Sequence, residues 1–325
     1  MKQMTIPAAA AEALYQAMAA DGSVFLIGED LAMGGVFGAA QGLKDRFGPS
    51  RVVDTPISET SFLGLGIGAA MSGMKPVVEI MFCDFLGVCF DQLMNQAAKT
   101  RFLSGGTVSL PLVIRTTMGA GDGSGAMHSQ SNYGLVASVA GLRVACPSNA
   151  ADAAGLLKTA LEGPDPVVIF EHKGLFGAET PVDPALPPVP FGKARTLRQG
   201  ADVTLVAIAA MVPVALKVAD SLAKRGIGVE VIDPVTINPL DRAAVLASVQ
   251  KTGRFVVLDE GAAFAGIADA LVSMVSREAF RSLKAAPAAI TPPHTPVPYA
   301  PALEAAWLPD AARVEAAILN MMEDV

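Results

Sequence analysis

Between Leu142 and Glu171 the chain reads LRVACPSNAADAAGLLKTALEGPDPVVIFE. Two short apolar runs, Leu142–Cys146 and Pro166–Glu171, enclose a stretch of helix-favouring residues, Ala150–Leu161. Asn149 stands just ahead of that stretch, where a side-chain oxygen can accept an N–H that the first helical turn leaves unsatisfied. Strands that are apolar throughout, separated by a helix, indicate a parallel sheet covered on both faces.

The same alternation extends towards the start. It predicts helix Ala8–Ala20, strand Val24–Gly28, a Gly/Ala-rich helix from Ser58 to Met74, strand Pro76–Phe82, helix Val88–Leu103 and strand Leu110–Thr116. A glycine-rich loop, Met118–Gly125, then leads into an expected helix Ser129–Ala140. Beyond Gly177 the composition changes. Pro181, Pro184, Pro187, Pro188 and Pro190 crowd into a few residues; proline cannot donate to a ladder and disfavours helix before it, so 181–194 reads as a linker. A second set follows: strand Val203–Ile208, helix Val212–Arg225, strand Gly228–Asp233, helix Asp241–Thr252, strand Phe255–Glu260 and helix Gly266–Phe280. Pro292–Pro301 is again proline-rich, and Arg313–Met322 is a closing helix. The expected division is 1–180, a linker at 181–194, and 195–325. Two domains also suit 325 residues at roughly 100–200 residues per domain.

Hydrophobic residues make up 52% of the chain and charged residues 17%, which supplies a sizeable core and buried subunit contacts. The net charge of −7, with scattered Lys and Arg, speaks against nucleic acid and against an anionic membrane surface. No apolar stretch reaches the roughly 18–20 residues that span a bilayer, and Met1–Thr5 lacks a secretory pattern, so the expected location is the cytoplasm. Cys83, Cys89 and Cys146 stand apart without metal-ligand spacing and read as small buried residues.

Asp54-Thr55-Pro56-Ile57-Ser58-Glu59 is the sharpest local feature. Ser58 is a good N-cap residue, and Glu59 would then sit in the first turn of the Gly/Ala-rich helix. Glu59 is either a carboxylate that complements the helix dipole or a buried functional acid. Gly64-Leu65-Gly66-Ile67-Gly68-Ala69 approximates a dinucleotide fingerprint, but the apolar strand that a nicotinamide dehydrogenase needs before it is missing. Gly121-Asp122-Gly123 with Asn149 mimics a magnesium-diphosphate motif, yet lies inside a loop rather than at a strand end. His128 closes the glycine-rich loop, as an active-site wall or as a solvated loop residue; His172 and His294 read as structural.

Several segments in order carry a resemblance: Ile27-Gly28-Glu29-Asp30, Asp54–Glu59, Met81–Phe85, Asp91-Gln92, Asn95–Lys99, Ser104-Gly105-Gly106, Pro111–Arg115, His128-Ser129-Gln130 and Cys146-Pro147-Ser148. The series resembles the β subunits of pyruvate, branched-chain 2-oxo acid and acetoin dehydrogenase complexes, over nearly the whole chain. Pro-Ile-Ser-Glu together with His-Ser-Gln is specific to that pattern. The resemblance implies a transketolase-like pyrimidine-binding domain with a parallel sheet, followed by a transketolase C-terminal-like α/β domain. It implies thiamine diphosphate held between this chain and an α subunit in an α2β2 heterotetramer. The α subunit would supply the Mg2+ and diphosphate site, and a dihydrolipoyl acyltransferase core would take the acyl group.

By the same resemblance Glu59 hydrogen-bonds the cofactor's pyrimidine ring and favours the imino tautomer, Phe85 stacks on that ring and Ile57 lines its pocket. Glu29 matches a carboxylate of the acidic network that links paired sites. His128 faces substrate and assists acyl transfer to lipoamide. A structural K+ is implied too, held mostly by backbone carbonyls at Leu112, Ala160, Leu161, Gly163 and Asp165; Gly163 stands where an acidic residue is usual. Phe82–Phe85, Val113–Thr116, Val144–Ser148 and Glu171-His172-Lys173 are most similar to acetoin dehydrogenase β subunits. The loop Asp122–Met127 lacks the alanine-rich run expected before the histidine. Pyruvate or a branched-chain 2-oxo acid is the alternative substrate, and a non-catalytic scaffold subunit the alternative role. The second domain, with no catalytic motif and an acidic end at Glu323-Asp324, is the expected docking side for the acyltransferase core.

Overall fold

The computed structural model describes Met1–Glu323; Asp324 of the acidic end, and Val325, lie outside the described residues. The chain divides into two units, one of Met1–Met118 and Leu135–Phe191, the other of Gly119–Gly134 and Gly192 onward.

The first unit holds β1 (Lys2–Met4), α1 (Ile6–Ala20), β2 (Val24–Gly28), α2 (Leu43–Phe47), β3 (Val52–Asp54), α3 (Glu59–Met71), β4 (Lys75–Phe82), α4 (Ala98–Leu103), β5 (Val113–Met118), α5 (Tyr133–Ala137, opening at the end of the loop segment), β6 (Arg143–Ala145), α6 (Ala150–Glu162), β7 (Val167–His172) and β8 (Thr180–Val182). Neighbouring strands run β6-β7-β5-β4-β2-β3, all parallel. Every residue of β2, β5 and β7 is buried, as expected of strands covered on both faces. Asn149 caps α6 by accepting from Asp152 N at 2.9 Å. The Gly/Ala-rich helix packs closely on β4 at Gly66, where a Cβ would lie 2.6 Å from a Val78 methyl.

The second unit holds β9 (Arg195–Arg198), β10 (Val203–Ala207), α7 (Met211–Ala223), β11 (Val229–Asp233), β12 (Thr236–Asn238), α8 (Arg242–Thr252), β13 (Phe255–Leu258), α9 (Ile267–Glu278), β14 (Ala288–Ile290), α10 (Pro301–Trp307) and α11 (Ala311–Glu323). Its sheet order is β14-β13-β10-β11-β9, parallel except for the β11–β9 edge. Alternation places Val203, Leu205 and Ala207 against α7 and α11, and Val206 against α8 and α9. No helix among the described residues is long and apolar enough to cross a membrane.

The structure departs from the sequence reading at identifiable places. β5 begins at Val113 rather than Leu110, because Pro111 has no N–H to give and Leu112 N turns back to Leu110 O at 2.7 Å. The helix expected over Ser129–Ala140 is only Tyr133–Ala137; Gln130 O is occupied by Gly119 N at 3.1 Å. Within the expected helix Val88–Leu103, Gln92–Ala97 forms a π turn, a rare form that recurs near functional sites. In the stretch read as a linker, Thr180–Val182 pairs antiparallel with Lys2–Met4, and Val189 N donates to Gly155 O at 3.1 Å. The proline-rich tail gives way at Pro301 to α10, proline being tolerated in a first helical turn.

Candidate active site

Parallel sheets of this kind bind ligands beyond the carboxyl ends of their strands. Here Glu29 follows β2, Asp54 ends β3 with Thr55 to Glu59 beyond it, and Phe85 follows β4 in a 3-10 turn, Cys83–Gly87. One end of the first unit's sheet thus gathers Glu29, Ile57, Glu59 and Phe85 from segments far apart in sequence.

Glu59 is the first residue of α3 and only 6% exposed. Ser58 precedes it but does not cap with its side chain; the hydroxyl donates to Pro56 O at 2.9 Å. Burial, and then the charge of Glu59, push the Glu29 pKa above its ordinary value; the nearby Ser58 backbone N–H acts to lower it, but less strongly. Glu29 Oε1 and Thr55 Oγ1 are buried with no hydrogen-bond partner among the described residues. Two orphaned polar atoms beside a helix mouth fit a polar group that this chain does not itself supply.

The walls are apolar. Phe85 is half-buried and packs edge-on against Phe82 with ring centroids 5.6 Å apart. Cys89 is buried beside Glu59; burial foremost, then the Glu59 charge, push its thiol up to about 12, so it stays protonated and inert. Cys83 and Cys146 are buried as well. Ile57 lies open at the rim, 84% exposed, with Leu65 and Val88 also exposed.

At the amino ends of β5 and β7, away from the carboxyl ends that carry Glu29 and Glu59, lie the positions associated with K+. Leu112 precedes β5, and Ala160 to Asp165 lead from the end of α6 to its neighbour β7. The Asp165 carboxylate is engaged by Arg101 and by Arg143, whose Nε and Nη2 donate at 3.0 and 2.8 Å. It therefore does not fit a side-chain ligand, and only backbone carbonyls there could serve a cation. Leu112 O and Ala160 O each already accept one N–H, which leaves a second lone pair on each. No group of three or more His, Cys, Asp and Glu gathers as a metal site among the described residues.

His128 belongs to the second unit and is half-buried in the Gly119–Gly134 loop. The Gly-Asp-Gly sequence in that loop is no strand-end diphosphate motif: Gly121 N and Gly123 N donate to the two oxygens of Glu304, at 2.8 and 2.9 Å. The glycines of the dinucleotide-like pattern lie inside α3, not at a strand-to-helix turn. Sequence reasoning missed the unpartnered Thr55 hydroxyl, Glu260 and Glu304. Asp259-Glu260 at the end of an apolar run was a usable signal; Glu304, beside a proline-rich stretch, offered none.

The chain matches the family model described as transketolase, pyrimidine binding domain, over residues 2–178, and transketolase, C-terminal domain, over 192–314. It is 44% identical over 333 residues to the β subunit of acetoin:2,6-dichlorophenolindophenol oxidoreductase of Cupriavidus necator, covering 99% of this chain and 98% of the relative. The Bacillus subtilis protein of the same name is 43% identical, covering 96% and 95%. The pyruvate dehydrogenase E1 component subunit beta of Rickettsia conorii is 41% identical, with 97% of each chain covered. A solved split-gene transketolase, described as an inactive beta4 tetramer, superposes with a TM-score of 0.80 at 23% identity over 99% of each chain, which shows the shared fold. By these matches the chain belongs to the transketolase-type family that includes the β subunits of acetoin oxidoreductases and of pyruvate dehydrogenase E1 components.

Proposed function

We propose that this chain is the cytoplasmic β subunit of a thiamine-diphosphate-dependent component that cleaves acetoin and passes the acyl group to lipoamide on a dihydrolipoyl acyltransferase core. The carrying observation is the buried Glu29–Glu59 pair at the mouth of α3, with a partnerless Glu29 oxygen inside it. Thiamine diphosphate, when bound, supplies the carbon nucleophile. Glu59 holds a proton at the pyrimidine ring nitrogen, the Phe85 ring stacks on the pyrimidine face and Ile57 closes its rim. Such acid/base work contributes about 10²–10⁴-fold. Burial, and then the Glu59 charge, raise the Glu29 pKa above its ordinary value, which marks the pair as interacting carboxyls in one site. His128 contacts substrate and assists the acyl transfer.

This chain's residues do not fit a Mg2+-diphosphate site, since Gly121 and Gly123 are committed to Glu304. That half is assigned to an α subunit. The exposed apolar rim of Ile57, Leu65 and Val88 supports a partner covering this end. A K+ held by carbonyls of Leu112, Ala160, Leu161, Gly163 and Asp165 belongs to the same reading, as does docking of the acyltransferase core on the second unit. Pyruvate is the second reading, favoured by the similarity to pyruvate dehydrogenase subunits. Co-assembly with an α subunit and a panel of acetoin, pyruvate and branched-chain 2-oxo acids decides: acetoin turnover is expected to dominate, and turnover of 2-oxo acids alone would overturn the assignment.

A further inference from the structure

Three carboxylates of the second unit hold the loop that carries His128, and all are distant from it in sequence. Glu260 Oε1 accepts from Ala120 N at 2.7 Å and from the Ser131 hydroxyl at 3.3 Å. Glu304 accepts from Gly121 N at 2.8 Å and Gly123 N at 2.9 Å, one on each oxygen. The Tyr133 hydroxyl is bonded to Asp259 Oδ1. These anchors fall on both sides of His128. Asp259, Glu260 and Glu304 are buried, so these bonds are shielded from water.

The loop needs such anchors. Gly121, Gly123 and Gly125 have φ of +114°, +72° and +74°, a left-handed backbone that a glycine-rich segment would leave readily if unbound. Gly125 also approaches Tyr299 so closely that a Cβ would lie 2.9 Å from its ring. Beneath the loop, Ala120 packs with Val297 and Trp307, and Trp307 shares α10 with Glu304. A helix that served only packing would not need a carboxylate there, because burying one is unfavourable unless its bonds are required.

We propose that Glu304, together with Glu260, is a positioning residue that fixes the loop shape presenting His128. The inference rests on the reading of His128 as the acyl-transfer residue. In Glu304→Gln one oxygen becomes an NH2 that faces a glycine N–H, so one of the two bonds is lost while size is kept.

The test is a double-mutant cycle of Glu304→Gln and His128→Ala in the assembled α/β protein, reading acyl transfer to a lipoyl domain and turnover with an artificial acceptor. Glu304→Gln is expected to slow lipoyl transfer about 10- to 100-fold, the scale of a misplaced group, and to leave artificial-acceptor turnover and substrate KM within about twofold. Amide exchange at Gly121 and Gly123 should quicken. The double variant should be no slower than His128→Ala alone. Additive losses, or no loss from Glu304→Gln where His128→Ala is slow, would overturn the positioning role alone. An inert His128→Ala would overturn the reading of His128 and the proposal with it. Should Glu304→Gln not assemble, Glu260→Gln in the same cycle is held to the same outcomes.

Discussion

The Glu29 carboxyl lies near enough to Glu59 for that charge, after burial, to raise its pKa. The residue that follows β2 and the first residue of α3 thus share one site, where a helix N-terminus also favours negative charge.

Replacing Glu59 by Gln keeps its shape and removes its acid/base capacity. Assembly with the α subunit is expected to be unchanged and turnover to fall by about 10²–10⁴-fold. Size-exclusion chromatography and steady-state kinetics check this pair of outcomes; near-normal turnover in the assembled variant contradicts the role.

His128→Ala is expected to slow acyl transfer to the lipoyl domain more than the first cleavage step. Comparing an artificial electron acceptor with the lipoyl-domain assay separates the two. Equal losses in both would place His128 elsewhere in the reaction.

Burial pushes Asp259 up to about 7 from 3.8. Between those values the folded chain holds a proton that the unfolded chain has released. Asp259 therefore makes stability fall as pH rises through that window and level off above it. Asp259→Asn keeps an oxygen for Tyr133 and Gly261, which both bond Oδ1, and cannot titrate. Its stability relative to the parent should improve from pH 4 to 7, followed by denaturant unfolding; parallel curves would contradict the assignment.

Gly66→Ala should destabilise the first unit by about 1–3 kcal/mol, the usual cost of overpacking. The added Cβ would meet the Val78 methyl at 2.6 Å, with Leu112 behind it at 3.6 Å. Thermal unfolding measures this, and Gly68→Ala is the control, because nothing lies within 4 Å of its Cβ position. Equal effects at the two sites would show that helix propensity, not packing, governs both.

Most of the alternation was legible because buried strands such as Val24–Gly28 and Val203–Ala207 are apolar without interruption. Where proline and glycine dominate, local sequence said less. Pro181 is paired with Gln3 rather than lying in a spacer, and Pro301 opens a helix rather than extending a tail. Glu59 could be singled out from its place at the start of the Gly/Ala-rich helix, but the Ser58 cap could not be judged, since its hydroxyl goes back to Pro56. The loop's membership of the second unit was invisible for a related reason. Its anchor on Gly121 is Glu304, separated by 183 residues, and no local pattern encodes such a pairing.

The proposed place of this chain on the pyrimidine side of a shared thiamine diphosphate site is tested most directly by calorimetric titration of thiamine diphosphate with Mg2+ into the isolated chain and into the chain assembled with its α subunit. Stoichiometric, Mg2+-dependent binding is expected only in the assembly; tight stoichiometric binding to the isolated chain would refute the shared site.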